Sequence, residues 1–418
     1  MKRYLRLAAT VLFVLSSCLA LAQEAATKPD FDEKTKKAVL TEMQEVLTKV
    51  AFVPGVDFAK WPELVTKYQD KLDESKSPEE FAFVINTALQ QFGFSHILLF
   101  SPVAAERRAT NRMVGIGVRI EIEEKGIRVI KVYENGAASK AGLRIGDLII
   151  EADGKPVRQP ADLAGEEGQK VNVKVDRSGV VIERELVRTP FEIQLPEELA
   201  WPEKETALVT IPSFDATYSD AKVQELMSQV DPAKNLIIDL RGNGGGRVIN
   251  LLHFSSFLLT RDQALGTFVD RSALNRYKEE TKDEDPSVFK IAEWNSAKVR
   301  PLRRNKEPFK GEIAVLVDGG TGSASEMIAA ALKEQRGAKI IGTPSAGAVL
   351  ASTMRVLDHG FLLQFPLMDY VTIKGVRLEG NGLVPDIVAP SPRFGEEDTA
   401  IKEALRTFKN AQASLLAA

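Results

Sequence analysis

The sequence has 418 residues, of which 44% are hydrophobic and 27% are charged, an ordinary composition for a soluble globular protein. At about 100–200 residues per domain, this length predicts two or three domains. The formal net charge of -3 gives no basic excess that would favour nucleic acid, and no long block of one charge indicates an interaction tail.

The first 22 residues have the pattern of a secretion signal. A basic start precedes an apolar stretch, and an Ala-x-Ala cleavage site at 20–22 stands before Gln23. Residues 1–22 are therefore predicted to be a signal peptide, and the protein is predicted to be periplasmic or secreted. The only cysteine, Cys18, closes a Leu-Ser-Ser-Cys stretch that also resembles a lipobox, so a membrane-anchored lipoprotein stays open as the alternative.

Residues 31–105 are predicted to form a helical N-terminal region. Apolar residues recur at helical spacing from Phe31 onward. A further helix is expected to begin with Ser77 as its N-cap and Pro78 in its first turn, and to stop at Gly93. A short strand, ILLFSPV, follows this stop.

Residues 113–188 change to short alternating β-runs and resemble a PDZ domain. The match lies in a helix-and-turn segment at 137–147 and in a carboxylate-binding loop formed by Gly115, Ile116, Gly117 and Val118. Consecutive amides in a glycine loop can hold a peptide carboxylate, and an exposed strand edge can pair with the peptide. The resemblance implies protein or peptide partners with free C-termini, and a β-module that serves only as a spacer is the alternative.

Residues 189–395 alternate apolar strands with helical stretches, which predicts a largely parallel sheet with its functional loops at the strand C-termini. Residues 396–418 are predicted to form a closing helix. The loop Asp239–Gly246, DLRGNGGG, follows a buried strand, and its glycines let the backbone approach a ligand closely. It lacks the Gly-Lys-Ser/Thr of a P-loop and fits a dinucleotide fingerprint poorly, which leaves a tight turn or a catalytic loop.

Two serines stand where a Gly-rich turn runs into a helix, in GGTGSASEMIAAAL at 319–332. Ser323 and Glu326 fit a capping box, which explains both without any catalysis. Ser325 would sit in the first helical turn, where free amides and the helix dipole stabilise an alkoxide or oxyanion. We therefore expect Ser323 to be a cap and Ser325 to be the candidate nucleophile.

The order of these motifs, followed by IIGTPSAG and EGNGLVPD, resembles the C-terminal processing (tail-specific) serine peptidases and their tricorn-core branch, over the whole mature chain. The resemblance implies an α/β (α+β overall) fold: a crotonase/ClpP-like peptidase core with an inserted PDZ domain and a helical N-terminal region. It also implies an exported endopeptidase that cleaves partly unfolded proteins. The family's nucleophile falls on Ser325, and its oxyanion donors fall on Gly245 or Gly246 and the amide of Glu326.

One departure concerns the base. In the Ser–Lys branch of the family a lysine and a glutamine follow the next strand, and here these positions are Ala348 and Ser352. Neither side chain can act as the base. The tricorn-core branch instead uses a Ser–His pair and a glutamate, and Ser95, His96 and Glu379 match that pattern.

A neutral imidazole can activate a serine, and a group on its other nitrogen fixes the tautomer. His96 is therefore predicted to be the general base, oriented by Glu379 and Ser95. Of the other histidines, His253 is expected to pack within a helix and His359 to be exposed in a turn.

No metal, nucleotide or flavin is implied, because the sequence has no HExxH motif, no cysteine ligand set and no clustered histidines. Two alternatives to the Ser–His–Glu peptidase stay open. One is an inactive homologue that acts as a PDZ scaffold, and the other is a Ser–Lys enzyme that uses Lys333 or Lys339. The oligomeric state and the physiological substrate are not predicted.

Overall fold

The computed structural model describes residues 31–110, 112–193 and 195–417, so the predicted signal peptide and the lipidation alternative at Cys18 lie outside the described residues. Along the chain, a helical N-terminal region, a small β-domain and an α/β core follow one another. This order confirms the predicted fold class. Within the described residues, no helix is both long enough and apolar enough to cross a membrane.

The N-terminal region packs its helices around one apolar cluster. Ser77 caps a helix by accepting a hydrogen bond from Glu80 N at 3.2 Å, and Pro78 holds the first helical position, as predicted. After a 3-10 turn at 90–92, Gly93 takes a left-handed φ of 75° and ends the helical run. The elements are α1 (Glu33–Lys49), α2 (Trp61–Lys67), α3 (Gln69–Glu74), α4 (Pro78–Leu89), β1 (Leu98–Phe100) and α5 (Pro102–Thr110), with a second 3-10 turn at 58–60.

The β-domain is an antiparallel sheet in the order β3-β4-β5-β7-β8, with β6 beside β5 and with β2 and β9 paired as a separate ribbon. Its inward side chains form their own apolar core. A 3-10 turn lies at 160–163. The elements are β2 (Arg112–Gly115), β3 (Val118–Glu123), β4 (Gly126–Val132), α6 (Ala137–Lys140), β5 (Leu148–Ala152), β6 (Lys155–Pro156), β7 (Lys170–Arg177), β8 (Val180–Val187) and β9 (Thr189–Glu192).

The α/β core is built on a six-stranded sheet in the order β10-β11-β12-β15-β16-β19, in which only the β10–β11 pair is antiparallel. The predicted largely parallel sheet is therefore confirmed. The first half of the core contains β10 (Glu198–Glu203), β11 (Thr206–Thr210), α7 (Asp220–Gln229), β12 (Asn235–Asp239), α8 (Val248–Ser255), β13 (Gly266–Asp270), α9 (Arg271–Thr281), α10 (Val288–Trp294) and β14 (Lys298–Val299).

The second half of the core completes this sheet and closes on the C-terminal helix. Its elements are β15 (Glu312–Val317), α11 (Ala324–Arg336), β16 (Lys339–Gly342), β17 (Ala351–Val356), β18 (Leu362–Thr372), β19 (Ile387–Val388) and α12 (Thr399–Ala417), with a 3-10 turn at 358–360.

Helices cover both faces of the central sheet, which explains why β12 is buried at all five positions. On one face, side chains of β12 and β15 pack against α8 and α11. On the other face, Ile237, Leu316 and Ile341 pack against Ala400, Ala404 and Phe408 of α12. The loops at the C-terminal ends of β12 and β15 are thereby held at one edge of a rigid three-layer core.

A second, antiparallel sheet was not predicted from the sequence. It has the order β1-β18-β13-β14, with β17 also paired to β18. The register places Leu98 of β1 opposite Gln364 of β18. Because β1 begins two residues after His96, this pairing carries the N-terminal region's histidine to the edge of the α/β core.

Candidate active site

The glycine-rich loop after β12 is held from inside by Asn243. This side chain is fully buried, donates to Ile211 O at 2.7 Å and accepts from Gly245 N at 2.9 Å. Gly246 has a φ of 145°, and a Cβ added there would lie 2.1 Å from the Phe214 carbonyl carbon. A side chain at that position would displace backbone, so only glycine lets the loop pack this closely.

Ser323 occupies a strained turn between β15 and α11. Its φ of 53° and ψ of -120° lie outside the regions that non-glycine residues favour. Such conformations cost about 1–3 kcal/mol and persist at functional sites. A serine on a sharp turn from a strand into a helix is the arrangement that exposes a hydroxyl as a nucleophile.

The glycine loop and the serine turn touch. A Cβ added at Gly245 would lie 2.6 Å from Ser323 Cβ and 2.9 Å from Ala324 N. The Ser323 N–H donates to Ala348 O at 2.7 Å and to Glu326 Oε2 at 3.1 Å. The predicted capping box is therefore present, and it holds a turn whose serine faces the glycine loop.

Ser325 lies elsewhere. Its side chain is 0% exposed, and Oγ has no hydrogen-bond partner among the described residues. It is absent from the residues that line the neighbouring cleft, whereas Ser323 lines it together with His96. The structure therefore brings Ser323, and not the serine expected from the sequence, to the histidine's cleft. A positive φ at a non-glycine residue is the feature that distinguishes the two serines, and the sequence does not display it.

The cleft has a volume of about 710 Å³ and a mixed lining. Glycines 244–246 and Ser323 contribute polar groups to this lining, which also contains Ala348, where the Ser–Lys branch has its lysine. Its apolar side chains include Phe268, Met327 and Leu350. Charged side chains, among them Arg108 and Asp215, also line it, so the cleft offers both polar and apolar contacts to a bound ligand.

Ser95, His96 and Glu379 form a hydrogen-bonded relay. The Glu379 carboxylate, 3% exposed, accepts from Ser95 N at 2.6 Å, Ser95 Oγ at 2.9 Å and Val349 N at 2.7 Å. Ser95 Oγ also lies 2.6 Å from His96 Nδ1. Glu379 thus reaches the imidazole through the serine, an order that the sequence did not indicate.

This order fixes the histidine tautomer. A carboxylate such as Glu379 has no proton to donate, so Ser95 uses its one hydroxyl proton in the hydrogen bond to Glu379. His96 Nδ1 is therefore assigned as the protonated nitrogen, which donates to Ser95 Oγ. Nε2 is then an acceptor. Burial lowers the pKa of His96 below its ordinary value, while the negative charge of Glu379 opposes part of that shift. The imidazole is therefore neutral at neutral pH.

The expected oxyanion donors are not all available. Gly245 N donates to Asn243, so this amide is already used. Phe214 N donates to Gly245 O at 2.9 Å, and Phe214 O accepts from Arg247 N at 2.8 Å. The amide of Gly246 takes no part in these two hydrogen bonds. Ala324 is the first residue of α11, ahead of the first intrahelical bond from Met327 N to Ser323 O at 3.1 Å. Its N–H is one of the orphan donors of a helix start.

The other candidates for the general base do not line the cleft. Lys333 forms an ion pair with Asp386 at 2.8 Å, and Lys339 begins β16 in an exposed position. His253 lies in α8 and bonds to Tyr218 Oη at 2.8 Å, as expected for a packed helix residue. His359 is exposed in a turn, also as expected.

The loop expected to bind carboxylates joins β2 to β3. Gly117 has a φ of 79°, and its Cα packs against Gly136. The carbonyls of Ile116 and Gly117 accept from Ala138 N and Tyr133 N, at 2.7 and 3.0 Å. Among the described strands β3 pairs with β4 alone, so its other edge is open to a peptide strand.

Comparison with known families agrees with this architecture. Residues 205–389 match peptidase family S41, and residues 114–186 match the PDZ domain. Residues 205–389 are therefore a domain of peptidase family S41, and residues 114–186 are a PDZ domain.

Two relatives illustrate the match. A carboxy-terminal-processing protease of Bartonella bacilliformis is 28% identical over 291 residues, 66% of this chain and 62% of that protein. A Staphylococcus haemolyticus protein named "Probable CtpA-like serine protease" is 25% identical over 289 residues, 67% of this chain and 53% of that protein. The alignments thus span roughly half to three fifths of these relatives' length.

Solved structures show the same fold. The photosystem II D1 C-terminal processing protease superposes with a TM-score of 0.50 and 22% identity, covering 85% of this chain and 93% of that chain. Mature CPAF complexed with lactacystin gives a TM-score of 0.53 and 14% identity, covering 92% of this chain and 99% of that chain. At these identities the likeness concerns the fold alone.

Proposed function

We propose that this protein is an exported serine endopeptidase in which Ser323 is the nucleophile and His96 is the general base. The observation that carries the proposal is the cleft that Ser323 and His96 both line. His96 Nδ1 is hydrogen-bonded to Ser95, which in turn is hydrogen-bonded to Glu379. The proposal departs from the sequence-based assignment in the serine, since Ser325 is buried behind the turn, and therefore also in the oxyanion amide that follows the serine.

The chemistry follows from the positions of these groups. Ser323 Oγ attacks the peptide carbonyl carbon while His96 Nε2 takes its proton. The imidazolium formed is stabilised through Ser95 by the Glu379 charge. It then protonates the leaving amine, and the C–N bond breaks to give an acyl-enzyme. Water attacks the ester with His96 again as base, which releases the second product and restores Ser323.

The developing oxyanion needs donors aimed into the cleft. With Ser323 as nucleophile, the amide that follows it is Ala324 N–H rather than the Glu326 N–H expected from the sequence. Gly246 N–H is the candidate second donor, because Gly245 N–H is held by Asn243. The tetrahedral oxygen would then lie between the glycine loop and the start of α11.

The Ser–Lys alternative has little support from these contacts. Lys333 is paired with Asp386, and neither it nor Lys339 lines the cleft. A catalytic lysine must reach the nucleophile's hydroxyl in order to accept its proton. The intact relay of Ser95, His96 and Glu379 likewise argues against the alternative of an inactive scaffold.

The substrates are proposed to be partly unfolded proteins whose free C-termini bind the PDZ domain. Support comes from the loop Gly115–Val118 and the open edge of β3. A fluorescent peptide should bind with its C-terminal carboxylate free and about tenfold or more weakly when amidated, since hydrogen bonds to a charged group contribute about 1.5–3 kcal/mol. Equal affinities for the two forms would contradict this mode of recognition.

The nucleophile assignment is tested by labelling. A fluorophosphonate probe should modify the wild-type protein once, and peptide mapping by mass spectrometry should find the adduct on Ser323. An adduct on Ser325, or none on the folded protein, would refute the proposal. Export is tested separately, by the N-terminal mass of protein from the native host, which should begin near Gln23 or at a lipidated Cys18.

A further inference from the structure

Glu326 makes more contacts than a capping box requires. Its side chain is 0% exposed, and each carboxylate oxygen accepts two hydrogen bonds. Oε1 accepts from Ser345 Oγ at 2.5 Å and Gly347 N at 2.8 Å. Oε2 accepts from Ala348 N at 3.0 Å and Ser323 N at 3.1 Å. Three of these four donors belong to a loop that lies outside the helix.

That loop, residues 345–349, touches both halves of the proposed catalytic machinery. Ala348 O accepts from Ser323 N at 2.7 Å, on the nucleophile's side. Val349 N donates to Glu379 Oε2 at 2.7 Å, on the relay's side. The loop is therefore anchored by two buried carboxylates, Glu326 at one end and Glu379 at the other, that reach it from different parts of the fold.

We propose that Glu326 is a positioning residue, which holds Ser323 at the correct distance from His96 by fixing the loop 345–349. The inference rests on the proposed function. Glu326 is not among the residues that line the cleft, so it acts through the backbone of the turn and the loop rather than on the substrate. Ionised acceptors form the shorter and stronger hydrogen bonds, and they can impose one geometry on a strained turn.

The variant Glu326→Gln isolates this role. The amide has the same shape, but its NH₂ group must face two of the four donors, so the turn and the loop lose their common anchor. A displacement of about 1 Å in a catalytic group can cost about 100-fold in rate. We expect kcat to fall about 100-fold and KM to change much less, because only Ala348 and Val349 of the loop line the cleft, whereas the glycine loop and Phe268, which also line it, lie outside the loop.

The experiment uses the full mature chain and four proteins: wild type, Glu326→Gln, Ser345→Ala and, as control, Ser325→Ala. Ser345→Ala removes a partly exposed hydroxyl that donates to Glu326 Oε1 at 2.5 Å and accepts from Leu383 N at 2.6 Å. The other three donors to Glu326 stay in place, so this milder variant tests the role even if Glu326→Gln does not fold. Fluorophosphonate titration gives the fraction of competent sites, and stopped-time labelling gives the rate per competent site. The acid limb of the kcat profile is recorded for each protein.

A positioning role predicts full labelling stoichiometry, a labelling rate and kcat reduced together, and an unmoved acid limb, because Glu326 does not contact His96. Ser345→Ala should show a smaller loss of the same kind. A labelling rate per site within threefold of wild type in both variants would overturn the proposal, and so would losses explained wholly by fewer competent sites. An inactive Ser325→Ala control with active Glu326→Gln would instead refute the nucleophile assignment itself.

Discussion

Ser95 and Glu379 lie 284 residues apart in the sequence, and Ser95 gives Glu379 both its backbone N–H, at 2.6 Å, and its hydroxyl, at 2.9 Å. This double contact joins the N-terminal region to the loop between β18 and β19 of the α/β core. It also places His96 Nδ1 next to a serine oxygen that has no proton left to give. The same two residues therefore complete the hydrogen-bonded relay and link the N-terminal region to the α/β core.

The pH dependence of activity follows from His96. Burial moves the pKa of His96 below its ordinary 6.5, and the base must be neutral, so activity should rise with pH through a limb centred below 6.5. Glu379 raises this pKa, so Glu379→Gln should lower kcat and move the limb to still lower pH. The limb is read from kcat/KM for a fluorogenic peptide between pH 4 and 8, values chosen to bracket about two units around the ordinary pKa. A limb above 7 that does not respond to Glu379→Gln would contradict the assignment.

The identity of the base is tested by three alanine variants. His96→Ala should lose about 100- to 10,000-fold in kcat, the usual contribution of general acid–base catalysis. Lys333→Ala and Lys339→Ala should keep kcat near the wild-type value, because neither lysine lines the cleft. Each protein is checked for folding by circular dichroism before its turnover is measured. One essential lysine together with a fully active His96→Ala protein would establish a Ser–Lys enzyme instead.

The packing of the glycine loop predicts a difference between two glycines. Gly246→Ala would place a Cβ 2.1 Å from the Phe214 backbone, and overpacking of this kind costs about 1–3 kcal/mol in the free energy of unfolding. Gly319→Ala is the matched control: nothing lies within 4 Å of its added Cβ, so its stability should stay within about 0.5 kcal/mol of wild type. Urea unfolding of both proteins gives the comparison. Equal stabilities would mean that the loop does not pack against Phe214 as described.

Much of the architecture could be predicted because it depends on local patterns. The cap at Ser77, the parallel strands that end in glycine loops and the closing helix each have a signal within a short stretch. The second sheet had no such local signal, because the pairing of β1 with β18 joins residues more than 250 positions apart, such as Leu98 and Gln364. Non-local strand pairing leaves no periodicity that a single segment displays.

Part of the candidate site could likewise be predicted from the sequence, and part of it could not. The resemblance to a known family led to Ser95, His96 and Glu379, and the structure brings these three together. The resemblance could not separate Ser323 from Ser325, because both serines stand in one tetrapeptide and the capping box already accounted for Ser323. The distinction depends on a backbone φ of 53° at Ser323, which the surrounding loop imposes. The four contacts of the Glu326 carboxylate were equally invisible, since three of its donors come from residues 345–348.

The most direct test of the account compares Ser323→Ala with Ser325→Ala on a denatured protein substrate, with both variants shown to be folded by circular dichroism. Ser323→Ala should abolish turnover and fluorophosphonate labelling, because it removes the hydroxyl that shares the cleft with His96. Ser325→Ala removes a buried hydroxyl that has no partner among the described residues, so turnover should remain near wild type. Full turnover in folded Ser323→Ala, with loss in Ser325→Ala, would contradict the proposed active site.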